Sequence, residues 1–266
     1  MDDRIRVTVQ QGVADVRLVR ADKMNALDDQ MFAALRDTGE RLKTWAGVRA
    51  VVLSGAGRAF CAGLDTANFG RMASGQRGGD PLLQGERTAG GANPPQHTVM
   101  VWRELPVPVI AAVHGVAYGG GFQLMLAADM RFIAPDTRLS IMEINWGLVP
   151  DMGGMALLPA LVRDDVAREL TYTGRVFDGN EAQQLGLATR VSADPYAGAL
   201  ALAREIAARP PKAMRAAKRL FELAQHADTR TMLLAESREQ AALIGAPEQV
   251  EAISARQQNR PAVFAD

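Results

Sequence analysis

The 266-residue chain is short of the residues that build covalent or metal cross-links. It has one cysteine, Cys61, so an intrachain disulfide and a cysteine-based metal cluster are both excluded. Read from its surroundings, Cys61 is a small buried hydrophobe. His97, His114 and His226 are far apart, with no HxxxH or HExxH spacing, which leaves no histidine metal motif. His114 lies in an apolar strand and reads as structural. Charge of one sign is missing too. The 30 basic residues balance 30 acidic ones, so there is no basic footprint for nucleic acid and no polybasic membrane signal. An anionic ligand needs only a local patch and stays open. No apolar run reaches the roughly 18 residues of a transmembrane helix. The opening MDDRIRVTVQ is acidic and then alternating, unlike a signal or transit peptide, and the closing VFAD matches no retention signal. The expected location is the cytoplasm.

What is present is a recurring order of strand, turn and helix. IRVTVQQGVADVRLVR (5–20) alternates and turns at Gln11-Gly12, which predicts a β-hairpin. Asp28 is placed to cap a helix carrying Met31, Ala34, Leu35, Leu42 and Trp45. RAVVLSGAG (49–57) reads as a buried strand ending in a glycine turn. Residues 66–97 crowd glycines and prolines into a polar stretch, which predicts a long mobile loop of the kind that serves as a lid. A helix follows near 97–105, then one strand over 108–121, two short strands in 130–141, and helices over 155–164, 165–172 and 179–186. From Asp194-Pro195 to about 258 the chain is rich in Ala, Leu, Arg and Glu at helical spacing, a separate helical layer. The fold class is α/β, with a unit closer to strand–strand–helix than to βαβ.

Two glycine turns carry the chemistry. Gly55-Ala-Gly57 follows a strand, but Phe60 stands where a dinucleotide fingerprint needs its third glycine, and no P-loop occurs. In VAYGGGFQLM (116–125), three glycines precede a helical run, although each costs roughly 1 kcal/mol against alanine there. Taken alone, the run reads as a tight turn or a close packing contact. It also bares backbone N–H groups that a ligand can approach closely. RAFCAGLD (58–65) offers a second such turn at Gly63. Two turns at the ends of neighbouring strands can present two N–H groups to one carbonyl oxygen, as an oxyanion hole does.

These segments resemble the crotonase (enoyl-CoA hydratase/isomerase) superfamily. AFCAGLD (59–65) and HGVAYGGGFQLMLAADMRF (114–132) look like its two oxyanion segments. EINWGLVPDMGG (143–154) is similar to the segment bearing a catalytic carboxylate, RADKMNAL (20–27) to the start that contacts coenzyme A, and TGRVFDGNEAQQLGLATRV (173–191) to the stretch after the active site. The matches run in order over almost the whole chain. The resemblance implies a ClpP-like spiral of ββα repeats over 1–194 and a C-terminal helical region, 195–266, that makes trimers, often paired into hexamers. It implies an acyl-CoA thioester held by the N–H groups of Leu64 and Gly120, with no cofactor apart from the coenzyme A of the substrate. Met24, Ala26, Leu27, Ala62 and Asp65 match positions near adenine and pantetheine; Arg20, Lys23 and Arg58 are candidates for its phosphates.

The carboxylates depart from the family pattern. Hydratases of the family use two glutamates, matching Glu143 and position 123, but position 123 holds Gln123. Glutamine does no acid–base work and can only hydrogen-bond water or substrate. Glu143 is the single charge in an apolar stretch from 139 to 150, so a raised pKa is expected. Asp151 stands eight residues on, where the family's dienoyl-CoA isomerases carry an aspartate. Those isomerases have a further aspartate at position 123, so the match is incomplete, and Asp151 also reads as a turn-forming residue. Isomerisation by Glu143 and Asp151 is slightly favoured over hydration. A non-catalytic acyl-CoA-binding paralogue is the reading from another class, and a scaffold built on the C-terminal helices is the third.

Overall fold

The structure is a computed structural model that describes residues 4–75, 82–83 and 85–265. Strands β1 (Ile5–Gln10) and β2 (Val13–Leu18) form the expected antiparallel hairpin, with Gln11 and Gly12 both at positive φ in its turn. From β2 the sheet continues in parallel through β3 (Ala50–Gly55), β4 (Val109–Val113), β6 (Met130–Ile133) and β8 (Arg190–Val191). A second, smaller sheet pairs β5 (Val116–Tyr118) with β7 (Arg138–Ser140). Single bridges extend it, Cys61 to Ala117 on one side and Leu139 to Phe177 on the other, and a further bridge joins Leu27 to Leu64. Successive turns of the chain thus deposit one rung in the large sheet and one in the small, the strand–strand–helix repeat of a spiral.

The single strand expected over 108–121 is two strands in two sheets. Gly115, at φ 65°, breaks it, and a methyl group built there would lie 1.9 Å from the Arg58 carbonyl oxygen. His114 is therefore in the bend and not within a strand. Its Nε2 lies 2.9 Å from the Gly57 carbonyl oxygen, a joint between turns of the spiral.

Residues 66–73 and 94–97 also differ from expectation, being helical where a loop was predicted. Helix α1 (Asp29–Lys43) is capped by Asp28 as expected, α2 spans Thr66–Ala73, and α3 spans Pro94–Arg103. The Asp65 carboxylate accepts the Ala67 N–H, and Asn93 and Gln96 form a reciprocal capping box with proline in the first turn. These caps outweigh the helix cost of the flanking glycines. Residues 76–81 and 84 of the expected loop lie outside the described residues.

Alternation along the buried strands divides their side chains between two cores. Val51, Leu53, Val109 and Ala111 face the larger one, under α1 and α3. Ala50, Val52, Ile110 and Ala112 face the other, which α8 (Pro195–Ala207) closes with Ala199, Ala203 and Ala207. Between β7 and α8 run α5 (Gly154–Leu157), α6 (Asp164–Thr173) and α7 (Gly179–Gln184); α9 (Pro211–Ala224), α10 (Thr229–Leu243) and α11 (Pro247–Gln257) follow α8. Lys218 ties α9 to the sheet. Its buried Nζ donates to the Val107 carbonyl at 3.0 Å and to Asp129 at 2.9 Å, and Asp129 also accepts the Val109 N–H. Asp129→Ala strands that ammonium. The expected loss is about 3 kcal/mol, read as a lower urea midpoint at unchanged slope.

Candidate active site

The two glycine turns meet. Gly63, at φ 84°, precedes Leu64, and the bridge to Leu27 occupies the Gly63 carbonyl and the Asp65 N–H on either side of it. A methyl group built on Gly63 would lie 2.5 Å from the Tyr118 carbonyl oxygen and 3.5 Å from the Gly120 nitrogen. Gly120 opens α4 (Gly120–Leu126), and Gly119 before it has φ 49° and ψ −115°. Gly121 touches the neighbouring segment directly: a methyl group there would lie 2.3 Å from the Cys61 carbonyl oxygen. The three glycines meet two needs: backbone conformation at 119, and close approach at 120 and 121. Among the described residues no carbonyl or side chain accepts a hydrogen bond from the N–H of Leu64 or Gly120.

A cleft of about 540 Å³ opens over these amides. Ala62, Leu64 and Gly120 line it from the turns, Gln123 from α4, and Glu143 and Asp151 from the segment after β7. Phe32, Phe69, Met72, Trp146 and Met152 make most of the rest apolar. The rings of Phe69 and Trp146 stack at 4.5 Å, closing α2 over the turn at 143–146. Sequence reasoning expected a lid from the segment 66–97 but missed that a helix of it supplies an apolar wall stacked on Trp146. Its one available signal was Phe69 and Met72, three residues apart and so on one face of a helix.

Glu143 begins the short helical turn Glu143–Trp146. Its Oε1 accepts from Gln123 Nε2 at 2.7 Å, and its Oε2 is buried with no hydrogen-bond partner. Burial pushes its carboxyl above the usual glutamate range, the nearby charge of Asp151 adds to this, and its own backbone amide and Gln123 oppose it. The direction expected from the apolar stretch is the one found. Asp151 is exposed at the rim of the cleft. Gln123 is buried, and its Oε1 accepts the N–H groups of Met152 at 2.9 Å and Gly154 at 3.0 Å. Its side-chain oxygen is therefore taken up by protein, where a contact to water or substrate was expected.

The residues assigned to coenzyme A are placed unevenly. Ala62 lines the cleft; Met24, Ala26, Leu27 and Asp65 are not part of its wall. Leu27 is fully buried in the larger core. Met24 and Asn25 both adopt positive φ, held by the Asn25 side chain, which bonds Arg20 N–H and the carbonyls of Ala56 and Ala59. Arg20 grips Asp65 at 2.5 Å and Asp28 at 3.4 Å, an internal clamp on this turn, while Lys23 and Arg58 are exposed beside it. Cys61 is fully buried and its thiol is pushed up to about 12, which suits a packing role and not a nucleophile. Among the described residues no helix is long and apolar enough to cross a membrane.

The profile of the enoyl-CoA hydratase/isomerase family matches residues 8–266. The mouse mitochondrial methylglutaconyl-CoA hydratase is 31% identical, over 98% of this chain and 83% of its own. The human mitochondrial Delta(3,5)-Delta(2,4)-dienoyl-CoA isomerase is 34% identical, over 81% of this chain and 67% of its own. The crystal structure of an enoyl-CoA hydratase from Bacillus anthracis superposes with a TM-score of 0.88 at 29% identity, covering 98% of each chain. With the spiral fold and the family profile in agreement along the chain, the protein is an enzyme of the enoyl-CoA hydratase/isomerase family.

Proposed function

We propose that the protein moves double bonds along an unsaturated, uncharged acyl-CoA by way of a thioester enolate. The observation that carries this is the pair of unengaged amides at Leu64 and Gly120 beside a half-buried carboxylate, Glu143, whose Oε2 is buried without a partner. In this reading the two N–H groups hold the thioester oxygen. Each such donor supplies roughly 3–4 kcal/mol to an oxyanion as charge develops there. With a 3,5-dienoyl ester, Glu143 takes the proton from C2 as that charge forms. Asp151, entering this step in its acid form, gives its proton to C6, the double bonds become 2,4, and the proton held by Glu143 passes back to Asp151 through solvent before the next turnover. No further cofactor takes part, since coenzyme A belongs to the substrate.

Support for isomerisation over hydration comes from Gln123, which carries no proton for water addition and whose oxygen is already bonded. Support for an uncharged acyl group comes from the wall itself: among the described residues no Lys, Arg or His lines the cleft. A carboxylate on the acyl chain would lie there unpaired, at a cost of several kcal/mol. The exposed apolar side chains of the last helices, among them Leu233, Leu234, Val250 and Ile253, support their use in a trimer or a pair of trimers.

The test is a substrate panel. A 3,5-dienoyl-CoA is expected to isomerise, with the absorbance of the conjugated 2,4-product as readout. An acyl-CoA of equal length ending in a carboxylate is expected to react at least about 10²-fold more slowly in kcat/KM. Hydration of crotonyl-CoA in preference to isomerisation would move the protein to the hydratases. Tight binding of every ester with no turnover would make it a binder.

A further inference from the structure

We infer that Gln123 is a positioning residue that makes Glu143 a base with one working oxygen, Oε2. This deepens the proposed role of Glu143 and rests on it. The orientation of the Gln123 amide is not free. Two backbone N–H groups, those of Met152 and Gly154, point at one end of it, so that end is the oxygen. The other end is then the NH₂, and it faces Glu143 Oε1 at 2.7 Å. A proton on Oε1 would meet a donor that cannot turn over without breaking both backbone bonds. Oε1 therefore remains an acceptor in either charge state of Glu143.

The proton is left to Oε2, which is buried and has no partner in the protein. A carboxylate oxygen without donors in such a site is a stronger base than a solvated one, and its partner oxygen, fixed by Gln123, sets its direction. The surroundings are otherwise apolar or paired. Asp151 is the one charge bearing on Glu143 among the described residues. Gly119 from the preceding turn contributes no side chain, and Phe69 of α2 meets the 143–146 turn through Trp146. Helix α6 packs against that turn and carries Glu169, which is paired with Arg175.

The same two backbone bonds tie Gln123 to the loop that carries Asp151, so one side chain sets both carboxylates of the proposed shuttle. Nothing comparable is needed if Gln123 merely fills space.

Two variants separate these cases, in the ligand-free protein first. Gln123→Glu keeps the shape and the acceptor for the Met152 and Gly154 amides but replaces the donor with a second carboxylate. Gln123→Met removes donor and acceptor together. The protonated-carboxyl infrared band is followed against pH, with Glu143→Gln identifying the band of Glu143. Its midpoint is expected to rise by about 1 pH unit or more in both variants, since a donor to the ionised form is lost and, in Gln123→Glu, a like charge is added. The acidic limb of kcat/KM is expected to move up with it, while KM changes less than kcat. A midpoint in Gln123→Glu equal to wild type would overturn the inference and leave Gln123 a packing residue. Because the infrared titration needs no substrate, a protein inactive on dienoyl esters but showing the shift would sink the proposed reaction and keep this assignment.

Discussion

Glu143→Gln is expected to lower turnover of a 3,5-dienoyl-CoA by about 10²–10⁴-fold, the usual worth of a positioned general base. The side chain keeps its shape, and its amide oxygen can still accept from Gln123 Nε2, so the bond to α4 survives. The variant should also be more stable than wild type at neutral pH. Burial raises the folded-state pKa of Glu143 above its unfolded value, so the folded protein favours the neutral acid. That contribution is fully present below the ordinary glutamate range, near 4, and is lost as pH rises through the raised value. Above it, wild type carries a buried charge that glutamine does not. Melting temperatures measured from pH 4 to pH 8 should therefore diverge with rising pH, in favour of the variant. Undiminished turnover would remove Glu143 from the chemistry. A variant less stable than wild type by the same margin at every pH would assign it a packing role.

Gly63→Ala is expected to cost about 10²–10³-fold in kcat, comparable to removing one oxyanion donor. The added methyl group would sit 2.5 Å from the Tyr118 carbonyl oxygen, which is backbone and has little room to give. It would also sit beside the Gly120 nitrogen, directly between the two proposed donors. The residue would have to hold φ 84°, a left-handed conformation that costs an L-residue roughly 1–2 kcal/mol. The 61–64 segment must move away from α4, and the proposed convergence of the Leu64 and Gly120 N–H groups is lost. Affinity for free coenzyme A, measured by calorimetry, should fall by much less than kcat, since Ala62 is the one assigned coenzyme contact in the displaced segment. A variant with full kcat and a crystal structure displaced at residue 63 would end the two-amide account.

How much of this was legible beforehand differs from residue to residue. Short-range rules placed the Gln11-Gly12 hairpin, the Asp28 cap and the helix start at Asp194-Pro195, because each depends on neighbours within a few positions. They failed between 66 and 97, where glycine content suggested a loop but the caps at Asp65 and Asn93 built helices. They also missed the break at Gly115, which is set by the Arg58 carbonyl, 57 positions away in the chain. The stacking of Phe69 on Trp146 could not be read for the same reason: residues from α2 and from the 143–146 turn meet only after the spiral is wound.

The sequence by itself determined the α/β class, the family and the identity of the groups available for chemistry, since those follow from residue types and local spacing. It also determined that position 123 carries no acid. Only the tertiary structure decided what Gln123 does there. Its oxygen is bonded by amides from residues 152 and 154 and its nitrogen meets a carboxylate at 143, partners that no local rule brings within hydrogen-bond range. A side chain's chemistry is intrinsic, but the direction of its hydrogen bonds and the pKa of its neighbour are set by whatever the fold packs around them.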